Sequence, residues 1–225
     1  MSNSMTTLPD RPDSPPYLIE TMQGNAQQGV PLLAQHLTRL QHSAEALHYP
    51  CPLEAIRTAI EKQCQQLNSH AHRLRLCLHA NGEFSLTADP LAPTPQPVQL
   101  SLSRTALPNS SWLQHKSSHR PWYDAAQIWL SQHPAYFDVL FLNEHNQLCE
   151  GSRSNVYLFV EGQWLTPLLG AGLLPGVMRA QLLEQGLVRE AALTKQDLLN
   201  ASAWRVSNAL RGWLDATLDA TEINL

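Results

Sequence analysis

The first half of the chain carries apolar positions at the spacing of two helices. Apolar residues recur at alternating steps of four and three over residues 31–50, and the same pattern returns over residues 51–67. This spacing places them on one face of a helix, because an α-helix completes a turn in about 3.6 residues. Pro31 suits the first turn of a helix, and Pro50 ends one. The pattern predicts two helices that each bury one face.

Around these helices, alternating apolar and polar positions predict strands. Residues 17–24 predict a short strand that ends in a glycine-containing turn. Residues 72–80 and 82–89 predict two more strands joined by a hairpin, because Asn81-Gly82 is a strong signal for a tight turn. After a proline-rich break, residues 98–107 resume the strand pattern.

The second half of the chain mixes short strands and short helices. Strands are predicted at residues 137–144, 148–162, 163–167, 188–193 and 203–212. Helices are predicted after Pro121 and at residues 177–187 and 195–202. Since the elements lack the repeating strand–helix–strand order of a parallel sheet, we expect an α+β fold. We place a disordered tail at residues 1–16, a small α+β domain at 17–108 and a larger α+β cofactor-binding domain at 109–225.

Composition and charge narrow the class of protein. The chain has 225 residues, of which 43% are hydrophobic and 15% charged, so we expect a globular body. A net charge of −4 and the scarcity of lysine give little support for a nucleic-acid or anionic-membrane partner. The four cysteines form no CxxC pair, and we find neither a signal peptide nor an apolar run of membrane-spanning length. We therefore expect a cytoplasmic protein with reduced thiols.

Lys116 lies in a setting that favours chemistry over simple solvation. It stands between His115 and His119 in a segment rich in aromatic residues, so apolar surface is expected around it. A nucleophilic lysine needs such surroundings, because its usual pKa of about 10.4 must fall before the free amine can attack a carbonyl. The two histidines are spaced like a metal pair, but no third ligand follows at a matching spacing, so we expect no metal.

Three further features are candidates for a site. Residues 172–179 form a glycine-containing loop that enters a helix near Val177, where free N–H groups would suit a phosphate; the alternative is a tight turn that needs only glycine dihedrals. Arg39 stands at the edge of the apolar face of its helix, next to a cleft or to solvent. Glu150 lies among strand-like residues, where a buried carboxylate would need a cationic partner and an edge position would not.

Together these segments resemble one enzyme family. Residues 149–186 contain an E-G-x-x-S-N run, a T-P strand end and an L-x-G-V-x-R helix start, in that order. This order is similar to that of the fold type IV, or class IV aminotransferase, enzymes. The family includes branched-chain and D-amino-acid aminotransferases and 4-amino-4-deoxychorismate lyase. The resemblance spans residues 17–212 and implies a two-domain, D-amino-acid aminotransferase-like α+β fold that uses pyridoxal 5'-phosphate.

The resemblance implies a role for each matched residue. Lys116 would form the Schiff base with pyridoxal 5'-phosphate and then move the substrate proton, and Glu150 would pair with the pyridine nitrogen. Arg39 would bind the phosphate. The other groups implied at the phosphate are the N–H groups of Val177 and Met178, together with Ser207 and Asn208 of the last strand.

Within the family, residues 115–126 and 206–212 most resemble the lyases. The resemblance implies conversion of 4-amino-4-deoxychorismate to 4-aminobenzoate and pyruvate, a step of folate synthesis. The small-molecule substrate carries two carboxylates, and the arginines near the matched motifs are Arg211, the first choice, Arg153 and Arg120. We expect a homodimer, as is common in the family, with no nucleic-acid or membrane partner.

Two other functions stay open at this point. A class IV aminotransferase acting on branched-chain or D-amino acids would use the same cofactor residues. A degenerate homologue that only binds a partner protein would be expected to lose a charged site residue, and Lys116, Glu150 and Arg39 are all present. The chain also lacks the extra strand and Gly-Asp-Gly segment that many relatives have before the match to residues 19–22, which predicts a truncated small domain. His119 stands where several relatives have asparagine.

Overall fold

The computed structural model describes residues 15–225, so the tail predicted at residues 1–16 lies almost entirely outside the described chain. The first elements are β1 (Leu18–Gly24), α1 (Leu33–Leu47), α2 (Leu53–Gln65), β2 (His72–Leu78) and β3 (Phe84–Pro90). The strands form an antiparallel sheet in the order β1-β2-β3. The hairpin predicted at Asn81-Gly82 is confirmed, and Gly82 adopts a φ of 87° that few other residues tolerate.

The two helices pack on one face of this sheet. Their buried apolar residues are Leu37, Leu40 and Ala44 on α1 and Ile56, Ile60 and Cys64 on α2. Beneath them lie alternate residues of β2, namely Leu74, Leu76 and Leu78. The helix faces predicted from the apolar spacing are therefore confirmed, because the same residues form the core of this layer.

The later elements build a larger mixed sheet. In chain order they are β4 (Val98–Ser103), α3 (Asp124–Gln132), β5 (Tyr136–Leu142), β6 (Leu148–Gly151), β7 (Asn155–Val160), β8 (Gln163–Pro167), α4 (Val177–Glu184), β9 (Arg189–Ala191), α5 (Lys195–Asn200), β10 (Ala203–Asn208) and β11 (Gly212–Ile223). The eight strands follow the order β6-β5-β4-β11-β10-β7-β8-β9. Parallel and antiparallel neighbours occur together, as the predicted α+β class requires.

Two details differ from the sequence prediction. The single strand expected at residues 148–162 is two strands, β6 and β7, separated by a turn at 152–154. The sequence analysis also did not predict β11, which pairs with β4 on one side and β10 on the other. Since β4 already belongs to the larger sheet, the chain passes from one sheet to the other between Pro90 and Val98. The division into domains at residue 108 stays a prediction.

The described helices and cysteines bear on the environment of the protein. Every helix within residues 15–225 is too short or too polar to cross a lipid bilayer. The four cysteines, Cys51, Cys64, Cys77 and Cys149, all carry free thiols. The fold is therefore held by packing and hydrogen bonding without covalent cross-links among these residues.

Candidate active site

A cavity of about 810 Å³ is lined by residues of both sheets and of the loops between them. The predicted site residues that line it are Arg39, Lys116, Arg120, Glu150, Arg153, Val177, Ser207, Asn208 and Arg211. The side chain of Met178 is directed elsewhere and packs against a cluster that contains Tyr157 and Leu182. Folding thus gathers into one cavity residues that are scattered along the chain.

Lys116 is held at the cavity by a strand-like contact with β1. Its carbonyl accepts a hydrogen bond from the N–H of Ile19 at 2.7 Å, and Ser117 forms a β-bridge with Leu18. Within residues 15–225, no carboxylate forms an ion pair with the Lys116 amine. The backbone is fixed, while the amine stays available to a ligand in the cavity.

The pKa of Lys116 is lowered to about 7. Burial is the largest cause, and the positive charges of Arg120 and Arg39 add to it. The negative charges of Glu20 and Glu150 oppose the shift without cancelling it. A lysine with this pKa is largely unprotonated just above neutral pH, so its amine can attack a carbonyl carbon.

Glu150 presents a buried carboxylate to the same cavity. Its Oε1 accepts hydrogen bonds from the Tyr123 hydroxyl at 2.7 Å and from the Leu174 N–H at 3.1 Å. Burial raises the pKa of Glu150 to about 7, although the Tyr123 hydrogen bond and the charge of Arg120 lower it. Both bonds reach Oε1, so within residues 15–225 no protein donor bonds to Oε2. A cationic N–H donor in the cavity would complete this site and favour the charged carboxylate.

Glu20, which the sequence analysis did not single out, orients Arg39. Arg39 donates from Nε to Oε1 of Glu20 at 2.9 Å and from Nη2 to Oε2 at 2.5 Å. His36 Nδ1 lies 2.6 Å from the same Oε2. Burial raises the pKa of Glu20, but Arg39 and His36 lower it more, to about 2. The remaining nitrogen of Arg39, Nη1, lies 3.4 Å from the carbonyl oxygen of Pro175, next to the start of α4.

The loop before α4 brings the start of that helix to the cavity. Gly176 is the N-cap and makes no side-chain capping bond, and the first intrahelical bond runs from the Ala180 N–H to the Gly176 carbonyl. The N–H groups of Val177 and Met178 therefore lack partners within the helix, as at every helix start. A side chain at position 176 would overlap the carboxamide oxygen of Asn155. Glycine is required here because β7 approaches the loop so closely.

The turn after β10 brings three predicted residues to the cavity wall. The Tyr157 hydroxyl and Ser207 Oγ are 2.7 Å apart. Asn208 donates to the carbonyl of Arg153 at 3.2 Å and accepts a hydrogen bond from the Arg211 N–H at 2.8 Å. These bonds connect the turn after β10 to the turn between β6 and β7.

The turn between β6 and β7 is anchored by a cation and an anion. Arg120 donates to the carbonyl of Ser152 at 2.6 Å, and its guanidinium lies 4.8 Å from the centre of the Tyr123 ring. Asp138 on β5 accepts hydrogen bonds from the hydroxyls of Ser152 and Ser154 at 2.6 and 2.5 Å. The sequence analysis missed Asp138 because its contacts form only when β5 pairs with β6.

The two histidines beside Lys116 have structural contacts. His115 Nδ1 lies 3.0 Å from Ser43 Oγ, and the His119 ring packs edge-on against Trp112 and Trp122. Within residues 15–225, no three His, Cys, Asp or Glu side chains are grouped so that they could hold a metal ion.

Comparisons with known proteins agree with this geometry. Residues 17–218 match the profile of the family described as amino-transferase class IV. The "Putative aminodeoxychorismate lyase" of Schizosaccharomyces pombe is 30% identical over 187 residues, which cover 80% of each chain. The crystal structure of a "Putative amino-acid aminotransferase" from Mesorhizobium loti has a TM-score of 0.83 and 36% identity, over 90% of this chain and 99% of that one. The 4-amino-4-deoxychorismate lyase of Pseudomonas aeruginosa, at 23% identity, shares the fold with a TM-score of 0.75 over 95% of this chain and 90% of its own.

Proposed function

Because the chain belongs to the class IV aminotransferase family, we propose that it is a lyase that converts 4-amino-4-deoxychorismate to 4-aminobenzoate and pyruvate. Family membership confirms the predicted fold type IV, an enzyme of this type and its dependence on pyridoxal 5'-phosphate. One observation carries the proposal: the Lys116 amine and the Glu150 carboxylate line one cavity, and each has a pKa near 7. The lyase is favoured because the relative with that name matches most of both chains.

The cavity has suitable groups for each part of this cofactor. The unbonded Oε2 of Glu150 suits the protonated pyridine nitrogen, and the unpaired amine of Lys116 suits a covalent bond to the aldehyde carbon. Groups proposed to bind the phosphate are Arg39, the N–H groups of Val177 and Met178, Ser207 and Asn208. The bidentate bond from Arg39 to Glu20 holds the guanidinium beside the loop that enters α4.

When bound, the cofactor supplies a protonated ring that draws in the electrons of a bond broken beside the substrate nitrogen. In this proposal, the Lys116 amine takes the proton from the ring carbon that carries the amino group. Glu150 stays ionised because a cation in the cavity offsets the cost of burying its charge. The C–O bond to the enolpyruvyl group breaks, a proton is delivered to the methylene carbon of that group, and pyruvate leaves. The remaining ring is aromatic, which makes the reaction essentially one-way.

The cations left over from the cofactor suit the carboxylates of the substrate. Arg211 and Arg153 line the cavity at the turns after β10 and β6. Arg120 already donates to the Ser152 carbonyl, so we propose that it acts mainly through its charge. A guanidinium group binds a carboxylate through two parallel hydrogen bonds, which gives both attraction and orientation.

The test compares the wild-type protein with Lys116→Ala, using 4-amino-4-deoxychorismate made enzymatically and measuring 4-aminobenzoate. The wild type should release product, whereas Lys116→Ala should release none that is detectable and should still bind some cofactor through the phosphate. Lys62→Ala, at an exposed position of α2, is the matched control and should keep full activity. Full activity of Lys116→Ala would contradict the mechanism, and a cofactor-bound wild type without product would contradict the lyase.

An aminotransferase is the second candidate, because the Mesorhizobium loti protein bears that name at 36% identity. The same lysine, glutamate and phosphate groups would serve either reaction. An amino acid added alone distinguishes them. L-leucine or D-alanine should convert the cofactor of an aminotransferase to its pyridoxamine form, seen as loss of the long-wavelength absorbance. The cofactor of a dedicated lyase should keep that absorbance.

We also propose that the protein is a cytoplasmic homodimer that serves folate synthesis. Large apolar side chains at the surface support an interface between copies, since Ile128 is 61% exposed and Leu187 is 50% exposed. The four free thiols are in keeping with a reducing compartment. Light scattering after size-exclusion chromatography tests the assembly, and the mass of one chain would contradict the dimer.

A further inference from the structure

The small sheet presents a polar face to the cavity. Strand pairing sets Arg73 on β2 beside Gln23 on β1 and Asp89 on β3. Side chains alternate across a strand, so Arg73 lies on the face opposite Leu74, which packs beneath the helices. Thr21 and Arg73 extend from this face into the lining of the cavity. The sheet that carries the core of the small layer thus also forms one wall of the site.

Arg211 contributes to the same cavity from the larger sheet. Its N–H donates to Asn208, and its guanidinium donates to the carbonyl of Ala92, so both ends of the residue are anchored. Burial lowers the pKa of Arg211, and the positive charge of Arg73 lowers it further. The two guanidinium groups are therefore close enough to repel each other across the cavity.

This repulsion is not offset within the described chain. Arg73 has one carboxylate partner, Asp89 at 2.8 Å, but the two side chains are 47% and 54% exposed, so the pair contributes little. Arg211 forms no ion pair with any carboxylate of residues 15–225. By contrast, Arg39 deeper in the cavity is neutralised by buried Glu20. Excess positive charge therefore collects where the cavity meets solvent.

We infer that Arg73 and Arg211 form a subsite for a second carboxylate, which selects dicarboxylate over monocarboxylate ligands. A carboxylate between two guanidinium groups removes their repulsion and gains charge-assisted hydrogen bonds. The identity of the natural dicarboxylate rests on the proposed function. The subsite itself rests on the position and charge of the two arginines. It adds Arg73 to the residues that determine substrate specificity.

Calorimetric titration of the cofactor-loaded protein tests this subsite with benzoate and benzene-1,3-dicarboxylate as probes. The wild type should bind the dicarboxylate at least about tenfold more tightly than benzoate, a difference that one charged hydrogen bond can supply. Arg73→Gln and Arg211→Gln should each remove most of this preference while leaving the affinity for benzoate nearly unchanged. Arg73→Lys should keep part of it, because the charge remains without the bidentate geometry.

Arg75→Gln is the matched control. Arg75 lies on the same strand and the same sheet face, two residues from Arg73, but is not part of the cavity lining. Its substitution should leave the preference intact, which separates a specific subsite from the general charge of the sheet. Equal affinity of the wild type for both probes, or an unchanged preference in Arg73→Gln, would overturn the inference.

This experiment is independent of turnover. If the wild type releases 4-aminobenzoate but Arg73→Gln keeps the dicarboxylate preference, the subsite is wrong and the lyase stands. If the preference depends on Arg73 but no 4-aminobenzoate is released, the subsite stands and the proposed lyase is wrong.

Discussion

Glu20 and Glu150 show at the residue scale how neighbours decide the charge of a buried carboxylate. Burial raises the pKa of both. At Glu20, Arg39 and His36 reverse the shift and bring the pKa to about 2. At Glu150, the Tyr123 hydroxyl and the more distant charge of Arg120 only moderate it, and the pKa stays at about 7. Glu20 is therefore a permanent anion, whereas Glu150 changes charge near neutral pH until a cation enters the cavity.

Replacing Glu20 by glutamine should destabilise the protein in a pH-dependent way. The folded pKa of about 2 lies below the usual 4.5, so the carboxylate stabilises the fold fully above pH 4.5 and loses this effect as the pH falls towards 2. Urea unfolding at pH 7 should show a loss of about 3 kcal/mol in Glu20→Gln, since each pKa unit corresponds to about 1.4 kcal/mol. The gap to wild type should narrow towards pH 3.

Glu54→Gln provides the control for this measurement. Glu54 and Arg57 form an exposed pair on α2 at 3.8 Å. An exposed pair contributes less than about 1 kcal/mol, so this variant should unfold like the wild type. A loss in Glu20→Gln that is equally large at pH 7 and pH 3 would show that the effect is steric and would contradict the charge argument.

Glu150→Gln should stabilise the cofactor-free protein in alkaline solution. The folded pKa of about 7 lies above the usual 4.5, so the wild type loses stability as the pH rises through this window. Glutamine keeps an oxygen for the Tyr123 and Leu174 donors and carries no charge to bury. We expect the variant to exceed the wild type by about 1 to 3 kcal/mol at pH 8 and nearly to match it at pH 5. Thermal unfolding at both pH values measures this difference, and a variant less stable at pH 8 would contradict it.

At the scale of elements, the site depends on how a loop enters α4. Asn155 at the start of β7 donates to the Leu174 carbonyl at 2.9 Å, and Leu174 donates its N–H to Glu150 at 3.1 Å. The same Asn155 side chain occupies the space beside Gly176. One loop therefore connects the carboxylate site to the helix start that we propose for the phosphate.

Gly176→Ala should weaken both cofactor binding and stability. The added methyl group would displace the Asn155 carboxamide and with it the loop, and overpacking of this kind costs about 1–3 kcal/mol. We expect the dissociation constant of pyridoxal 5'-phosphate, measured by absorbance titration, to rise by about tenfold or more. Gly170→Ala is the control, because a methyl group there meets no atom within 4 Å and should change stability by less than about 0.5 kcal/mol. Equal behaviour of the two variants would contradict the role of Gly176.

At the scale of the whole molecule, β11 joins the two parts of the larger sheet. It pairs in parallel with β4 and in antiparallel with β10, at the centre of the eight-stranded order. Leu214 of this strand is buried, and Ala216 and Leu218 pack against the same core. Without β11, both neighbouring strands would expose unpaired edges and the core would open to water.

A chain that ends at residue 211 should therefore fail to fold cooperatively. Circular dichroism during urea unfolding should show no sharp transition, and the fragment should aggregate through its open strand edges. A chain that ends at residue 223 keeps β11 and should retain a cooperative transition. A sharp transition in the shorter chain would show that the sheet does not depend on β11.

The sequence by itself determined the features that depend on near neighbours. The buried faces of α1 and α2 and the hairpin at Asn81-Gly82 follow from periodicity and turn chemistry over a few residues. The motif order that identifies the family, and with it the fold type and the cofactor, is also written locally. The residues expected at the cofactor, apart from the side chain of Met178, line one cavity. Their individual roles stay predictions that the experiments above test.

Only the tertiary structure decided which groups set the charge and position of those residues. Glu20 controls Arg39 because β1 packs against α1, and Asp138 supports the turn after β6 because β5 and β6 pair. Likewise, Arg73 faces Arg211 only because the two sheets share a cavity. Central β11 escaped prediction because its place depends on strand order. Burial, pKa and strand order arise from contacts between residues far apart in the chain, and no local spacing encodes them.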